Sequence, residues 1–180
     1  VLTLVKCGGL DDAIRVFGQL SLQTVLSWTA MISGYIDNGK AVEAFKLFKC
    51  MIEKEVQPNQ YTYVSLIKAC GTLADIEKGR ELHKDVCEKG LSNAFIASAL
   101  VSMYGKWGYV SDAENVFQGL VKRDVVSWNA MLCTYVENGI VRKAILLYRQ
   151  MQEEGVSPHQ RTFVTALQAC SLLAEIEMEV

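Results

Sequence analysis

Few residues of this chain could carry acid–base, nucleophilic or metal chemistry. There are two histidines, His83 and His159, and no nucleophile motif surrounds either of them. His83 and Cys87 are spaced by one helical turn, but no second pair completes a four-ligand zinc site. The sequence also lacks the H-x-E and C-x-x-C signature of zinc deaminases and any phosphate-binding glycine loop. We therefore expect a binding module that is not an enzyme and holds no metal or cofactor.

The six cysteines are scattered, and no two of them form a C-x-x-C pair. This spacing predicts small, buried or half-buried apolar side chains of a protein in a reducing compartment. The cysteines are Cys7, Cys50, Cys70, Cys87, Cys133 and Cys170.

Composition limits the class of protein and the mode of ligand binding. The 180 residues are 51% hydrophobic and 21% charged, which is typical of a folded domain. No stretch approaches the ~20 consecutive apolar residues of a membrane span, so we expect no membrane partner. The formal net charge is -2, whereas proteins that bind nucleic acid mainly through phosphates are usually basic. Any nucleic-acid binding must therefore rest on base contacts and a local patch.

A duplication dominates the sequence when it is compared with itself. Val-Leu-Ser-Trp-Thr-Ala-Met at Val25–Met31 returns one hundred residues later as Val-Val-Ser-Trp-Asn-Ala-Met at Val125–Met131. About 23 of the 56 positions from Val25 to Arg80 match their copies, far more than unrelated helices would. The sequence therefore predicts a repeat protein, and its apolar first and last residues suggest a fragment of something longer.

Each block of one hundred residues divides into three repeats, and each repeat holds two helical stretches. In the first repeat, apolar residues at i, i+3, i+4, i+7 and i+8 form one stripe: Trp28, Met31, Ile32, Tyr35 and Ile36. Asn38-Gly39 then ends the helix, and a second stripe follows at Ala44, Leu47, Phe48 and Met51. A hairpin of two such helices cannot bury its own apolar face, so the repeats must stack into an all-α solenoid.

The first repeat resembles a pentatricopeptide repeat. The resemblance rests on its Ser-Trp-x-Ala-Met-Ile-Ser-Gly-Tyr opening, its Asn-Gly turn, its Ala-Phe-Lys-Leu-Phe core and its Val-Gln-Pro-Asn exit. The Trp, Leu-Gly and Tyr signature of tetratricopeptide repeats is absent. Repeat lengths of about 35, 34 and 31 residues resemble the P, L and S classes of the plant PLS subfamily. The predicted order is a partial S repeat (1–24), P (25–59), L (60–93), S (94–124), P (125–159) and a truncated L (160–180).

This resemblance implies a right-handed superhelical α-solenoid that binds single-stranded RNA in a mitochondrion or a chloroplast. It further implies site recognition for organellar RNA processing or for cytidine-to-uridine editing. The editing chemistry would belong to a C-terminal deaminase-like domain outside this chain or to recruited editing proteins.

The resemblance also implies that the fifth and last residues of a repeat together read one base. An unstacked RNA base offers its Watson–Crick edge to such polar side chains. The implied pairs are Thr29 with Asn59 for adenine, Ser98 with Asp124 for guanine, and Asn129 with His159. Asn129 favours a pyrimidine, but His159 departs from the usual Asn or Asp. Val64 holds the fifth position of the L repeat, where we expect little readout.

The second residue of each repeat is expected to hold the face of a base, a contact of about 1–3 kcal/mol where the side chain is aromatic. Leu26 with Tyr61, and Phe95 with Val126, are the predicted clamping pairs. Trp28 and Trp128 instead begin the apolar stripes and are predicted to lie in the core.

Simpler explanations exist for the same residues. Thr29, Ser98 and Asn129 could be polar residues that make local hydrogen bonds near a helix start. Asn59 and Asp124 could be helix caps without a ligand. For the whole chain the alternatives are a protein-binding solenoid, which the net charge slightly favours, or a structural spacer.

Overall fold

The structure of the chain, a computed structural model, describes residues 9–73 and 75–178, apart from the side chains of residues 176 and 177. These residues form ten α-helices and no strand, so the all-α prediction is confirmed. The helices are α1 (Leu10–Gln19), α2 (Val25–Asp37), α3 (Ala41–Glu53), α4 (Gln60–Leu73), α5 (Ile76–Glu88), α6 (Ala94–Lys106), α7 (Val110–Gln118), α8 (Val125–Glu137), α9 (Val141–Glu153) and α10 (Gln160–Met178). None of these helices is long and apolar enough to cross a membrane.

Three of the hairpins are closed by short turns that contain a left-handed glycine. Gly39 (φ 73°) separates α2 from α3, Gly108 (φ 76°) separates α6 from α7, and Gly139 (φ 71°) separates α8 from α9. Glycine has no Cβ to clash in this conformation, so it ends a helix at little cost. The first helices of successive hairpins then pack side by side: α2 on α4, α6 on α8, and α8 on α10.

The chain divides into two compact parts, one ending at Lys78 and the other beginning at Gly79. In the first part, Trp28 is buried and meets the ring of Phe17 edge to face, with 4.9 Å between the ring centroids. In the second part, Trp128 is buried against Phe117 in the same way, at 5.0 Å. Both tryptophans are therefore core residues, as the apolar stripes predict.

The prediction for the cysteines is only partly right. Cys70 is buried and Cys133 is half-buried, whereas Cys50, Cys87 and Cys170 are exposed. Cys50 and Cys87 lie off the apolar stripes, whereas Cys170 stands at the same register as the buried Cys70, so neither spacing nor register alone predicts exposure. Cys7 lies outside the described residues.

A single carboxylate explains why the two copies of the duplicated block differ in helix length. Asp75 precedes α5, and its Oδ1 accepts the N–H of Lys78 at 3.1 Å, which starts a new helix there. The copy has Glu175 at this position, and glutamate is not among the side chains that favour an N-cap. Accordingly, α10 continues from Gln160 to Met178 without a break.

Side-chain caps start several of the first helices. Asn93 precedes α6, and its Oδ1 accepts the N–H of Ile96 at 3.1 Å. Asp124 precedes α8, and its Oδ1 accepts the N–H of Ser127 at 2.8 Å. Helix starts leave backbone N–H groups without an intrahelical partner, so these short polar side chains fix where each first helix begins.

The helices α6 and α8 approach closely at Gly105. A Cβ added there would lie 2.3 Å from Oγ1 and 2.9 Å from Cβ of Thr134. Thr134 is buried, its Oγ1 donates to the carbonyl of Val101 at 3.4 Å, and its β-branched side chain has little rotamer freedom in a helix. The glycine is therefore required by the spacing of the two helices.

Gly105→Ala tests this spacing. Because Thr134 cannot move aside, we expect the free energy of unfolding in urea to fall by about 1–3 kcal/mol. Gly18→Ala is the matched control, since a Cβ at that helical glycine meets nothing within 4 Å. That control should be stabilising by up to about 1 kcal/mol. Thr134→Ala should relieve the loss in the double variant, and equal stability of Gly105→Ala and the natural chain would contradict the close approach.

The cap of α8 gives a second test. Asp124→Ala removes the acceptor for Ser127, so the free energy of unfolding should fall by about 1 kcal/mol. Asp124→Asn keeps an oxygen at the same place and should remain within about 0.5 kcal/mol of the natural chain. Equal losses in the two variants would show that the cap does not stabilise α8.

Candidate functional site

The predicted pair Thr29 and Asn59 is connected in the structure through a third residue, Thr62. Thr29 lies in the second turn of α2, Asn59 directly precedes α4, and Thr62 is fully buried in the first turn of α4. The hydroxyl oxygens of Thr29 and Thr62 are 2.7 Å apart, and Oγ1 of Thr62 lies 3.2 Å from Oδ1 of Asn59. Packing of α2 on α4 therefore joins the fifth residue of one repeat to its last residue.

The orientation of the Asn59 amide is determined by the backbone. Its Oδ1 lies 3.0 Å from the backbone nitrogens of both Tyr61 and Thr62. Both of these groups are N–H donors, so the atom that faces them must be the oxygen. Nδ2 is therefore the hydrogen-bonding atom on the other side of the amide, and it can only donate.

The second predicted pair, Asn129 and His159, makes direct contact. Nδ2 of Asn129 lies 3.3 Å from Nε2 of His159 and donates to the carbonyl of Val125 at 2.6 Å. Thr162 again stands beside the last residue. Its Oγ1 lies 2.9 Å from Nδ1 of His159 and accepts the His159 backbone N–H at 3.1 Å.

Burial leaves one atom of this second pair without a partner. Asn129 is only 5% exposed, and its Oδ1 is buried and accepts no hydrogen bond from any of the described residues. A buried amide oxygen without a donor costs free energy, as do the indole N–H groups of Trp28 and Trp128, which are buried without a partner in the same way.

The third predicted pair, Ser98 and Asp124, is arranged differently. Ser98 is buried in α6, and its hydroxyl donates to the carbonyl of Phe95 at 3.0 Å. Asp124 is exposed and caps α8. The hydrogen bonds of both residues thus run within their own helix or helix start, and the structure does not connect the pair.

The simpler explanations for these residues are therefore correct as descriptions of contacts. Asn59 and Asp124 accept backbone N–H groups at helix starts, and Ser98 and Asn129 make local bonds to backbone carbonyls. Thr29 is different, because its hydroxyl bonds to a residue of the next repeat. A cap uses the oxygen of the side chain and leaves its other polar atom for a ligand, so the role of these residues in base reading stays a prediction.

The four predicted clamping residues are large, apolar and exposed. Leu26 is 67% and Tyr61 55% exposed in the first compact part, and Phe95 is 42% and Val126 52% exposed in the second. All four stand at the second position of a first helix. Their role as clamps stays a prediction.

Sequence reasoning missed Thr62 and Thr162, the residues that contact Asn59 and His159. A signal was present, because both are the third residue of a first helix and they are identical at the offset of one hundred. A hydroxyl three residues after a capping side chain is within reach of that side chain. The contact of the Thr62 hydroxyl with Thr29 of the preceding helix pair depends on helix packing, which the sequence does not show.

The histidine outside these pairs has a structural partner. Nδ1 of His83 lies 3.0 Å from the Tyr104 hydroxyl, and burial lowers the pKa of His83. Cys87 is exposed on the next turn of the same helix. Within the described part of the chain, no group of three or more His, Cys, Asp or Glu side chains could hold a metal ion.

Family models match repeated segments of this chain. The model of the PPR repeat family matches residues 23–72 and 123–171. A second model, the PPR repeat, matches residues 61–91 and 95–125. Together they cover most of the chain.

Relatives in Arabidopsis thaliana carry the same repeats. The chain is 41% identical over 169 residues to the chloroplastic pentatricopeptide repeat-containing protein CRR2, covering 92% of this chain and 26% of that protein. It is 36% identical over 172 residues to a mitochondrial pentatricopeptide repeat-containing protein, covering 96% of this chain and 25% of that protein. The chain thus spans about a quarter of the length of these relatives.

Solved structures share the fold. PPR10, in complex with an 18-nucleotide psaJ RNA element, superposes with a TM-score of 0.79 at 20% identity, over 97% of this chain and 28% of that chain. The PPR domain of Arabidopsis thaliana protein-only RNase P 1, in complex with tRNA, superposes with a TM-score of 0.70 at 14% identity, over 94% of each chain. The fold is therefore an α-solenoid of stacked helix-turn-helix repeats. With the repeat models matching more than half of its length, the chain belongs to the PPR repeat family and is a segment of a pentatricopeptide repeat array.

Proposed function

We propose that this chain binds single-stranded RNA and distinguishes bases through pairs of side chains at the starts of its first helices. The observation that carries the proposal is the connection of Thr29 to Asn59 and of Asn129 to His159. Each pair combines a residue of a first helix with the residue before the next first helix. Such a pair can share the Watson–Crick edge of one unstacked base.

The orientation of Asn59 supports an adenine at the first complete repeat. Its Nδ2 is a donor and matches a ring nitrogen that accepts, as N1 of adenine does. An aspartate in the same cap would present an acceptor there instead and would match N1–H of guanine. Asp124 holds this position in the repeat at 94–124, which supports a guanine for the pair Ser98 and Asp124.

The order of the repeats along the chain then gives a sequence of preferences. In parallel orientation we propose adenine, any base, guanine and a pyrimidine for the repeats at 25–59, 60–93, 94–124 and 125–159. The repeat at 60–93 is assigned no preference because Val64 is buried and has no polar side-chain atom. The classes P, L and S of these repeats are part of the same proposal.

Net charge sets the mode of binding. At a formal charge of -2, phosphate neutralisation supplies little of the affinity, so base contacts and the four exposed apolar residues must supply most of it. Base–aromatic contacts contribute about 1–3 kcal/mol each, and only Tyr61 and Phe95 of the four are aromatic. Four complete repeats alone should therefore bind RNA weakly.

The biological setting follows from the relatives, which are named as chloroplastic or mitochondrial proteins. We place this chain in one of these organelles, as the part of a longer protein that recognises sites for RNA processing or cytidine-to-uridine editing. Editing would require a C-terminal deaminase-like domain or recruited editing proteins, because this chain has the character of a binding module.

Exchange of one capping residue tests the proposal. Asn59→Asp keeps the oxygen that caps α4 but replaces the amide donor with an acceptor, so preference should move from adenine towards guanine. The measurement is the dissociation constant for short RNAs that differ only at the base opposite the repeat at 25–59. A single wrong base typically costs about 1–3 kcal/mol in sequence-specific recognition, and the reversal should be of this size.

Asn93→Asp is the matched control, because Asn93 caps α6 in the same way but closes the repeat that is assigned no base. This variant should leave all base preferences unchanged. If Asn59→Asp leaves the preference unchanged while the natural chain discriminates elsewhere, the assignment of Asn59 is wrong. If the natural chain binds all RNAs equally or binds none, a protein-binding solenoid becomes the better explanation.

A further inference from the structure

We propose that Thr62 is a specificity-determining positioning residue, and that the repeat which contains it sets the base choice of the repeat before it. The same role falls to Thr162 in the second copy. This inference rests on the proposed RNA binding and adds residues that neither read nor clamp a base themselves.

Hydrogen-bond direction carries the argument. Oδ1 of Asn59 is an acceptor only, so its 3.2 Å contact with the Thr62 hydroxyl must be donated by Thr62. A hydroxyl has a single proton, so the 2.7 Å contact between Thr62 and Thr29 must be donated by Thr29. The chain of bonds therefore runs in one direction, from Thr29 through Thr62 to Asn59.

This direction determines what the pair offers to a ligand. The proton of the Thr29 hydroxyl is used, which leaves its oxygen as an acceptor. The oxygen of the Asn59 amide is used, which leaves Nδ2 as a donor. An acceptor beside a donor complements the amino group and the neighbouring ring nitrogen of adenine, and it opposes O6 and N1–H of guanine at both atoms.

Burial makes the direction persistent. Thr62 is 0% exposed, so water does not compete for its hydroxyl. The backbone N–H of Thr62 also holds Oδ1 of Asn59 at 3.0 Å, and the backbone N–H of Asn59 points back to Oγ1 of Thr62 at 3.4 Å. Without the Thr62 hydroxyl, the Thr29 hydroxyl would be released to donate or to accept, and only the Asn59 amide, still held by the backbone N–H groups of Tyr61 and Thr62, would distinguish adenine from guanine.

The second copy repeats the link between the threonine and the last residue of the repeat, whereas the hydrogen bonds of Asn129 run to Val125 and His159 and not to Thr162. Thr162 is also 0% exposed and contacts His159 through its hydroxyl at 2.9 Å. The third residue of the other first helices behaves differently. Ile96 has no hydroxyl, and the hydroxyls of Ser27 and Ser127 donate to the backbone carbonyls of Thr24 and Asp124. Only α4 and α10, among the described helices, place a hydroxyl against the side chain of the preceding last residue.

The test is Thr62→Val, which keeps the β-branched shape and removes the hydroxyl. The probes are short single-stranded RNAs with adenine or guanine opposite the repeat at 25–59, and the readout is the ratio of their dissociation constants for the whole chain. The natural chain should prefer adenine by about tenfold or more. Thr62→Val should reduce the preference to within about threefold, and Thr62→Ser should restore it because it returns the hydroxyl.

Two controls separate this effect from loss of structure. Thr72→Val removes another hydroxyl of α4, one that donates to the carbonyl of Ala69, and should leave the ratio unchanged. Varying the base opposite the repeat at 94–124 in the Thr62→Val protein should show undiminished discrimination there. If Thr62→Val does not fold, Thr62→Ala carries the same test.

The outcomes distinguish the two proposals. If the natural chain discriminates and Thr62→Val discriminates equally well, Thr62 is no positioning residue, while the proposed RNA binding stands. If Thr62→Val loses affinity for every RNA while the ratio of the dissociation constants stays unchanged, Thr62 serves folding only and the inference is wrong. If the natural chain shows no base preference at any repeat, both proposals fall together.

Discussion

Burial of the apolar stripe of one first helix against the first helix of the next hairpin, as between α2 and α4, α6 and α8, and α8 and α10, is the constraint on which each compact part depends. A single hairpin has a stripe on each helix and too few neighbours to cover both, so stability comes from contact between repeats. The approach is close enough that only glycine fits at position 105 beside Thr134. The same packing of α2 on α4 brings the hydroxyls of Thr29 and Thr62 to 2.7 Å. Core packing and the candidate site are thus consequences of one arrangement.

The start of each first helix carries two demands at once. The helix needs an acceptor for its unpartnered N–H groups, and the proposed function needs a polar group that faces a base. Asparagine meets both demands because its amide has one acceptor and one donor that point in opposite directions. At Asn59 the amide oxygen accepts backbone N–H groups of α4, and the amide nitrogen is left as a donor. A structural cap and the proposed reading residue are therefore compatible in one side chain, since the two roles would use different atoms.

Much of the fold could be predicted from residue types and spacing. The apolar stripes, the Asn-Gly turns and the offset of one hundred predict stacked helical pairs, and the helices begin and end near the predicted places because capping and turn chemistry are local. Other features were beyond such reasoning. The exposure of Cys50, Cys87 and Cys170 depends on which face of a helix a neighbour covers, and the uninterrupted α10 depends on the loss of one cap at Glu175. The resemblance supplied the positions of the candidate site but gave no contacts between them.

The sequence by itself determined the periodicity, the starts of the first helices and the types of side chain at each of these starts, because these follow from local propensity and from the repeat. Only the tertiary structure decided which of those side chains touch. It connects Thr29 with Asn59 through Thr62 and joins Asn129 to His159, yet it leaves Ser98 and Asp124 bonded within their own elements. The physical reason is that a hydrogen bond between repeats depends on helix separation to within a few tenths of an ångström. That separation is set by the packing of many buried side chains and not by any residue in the pair.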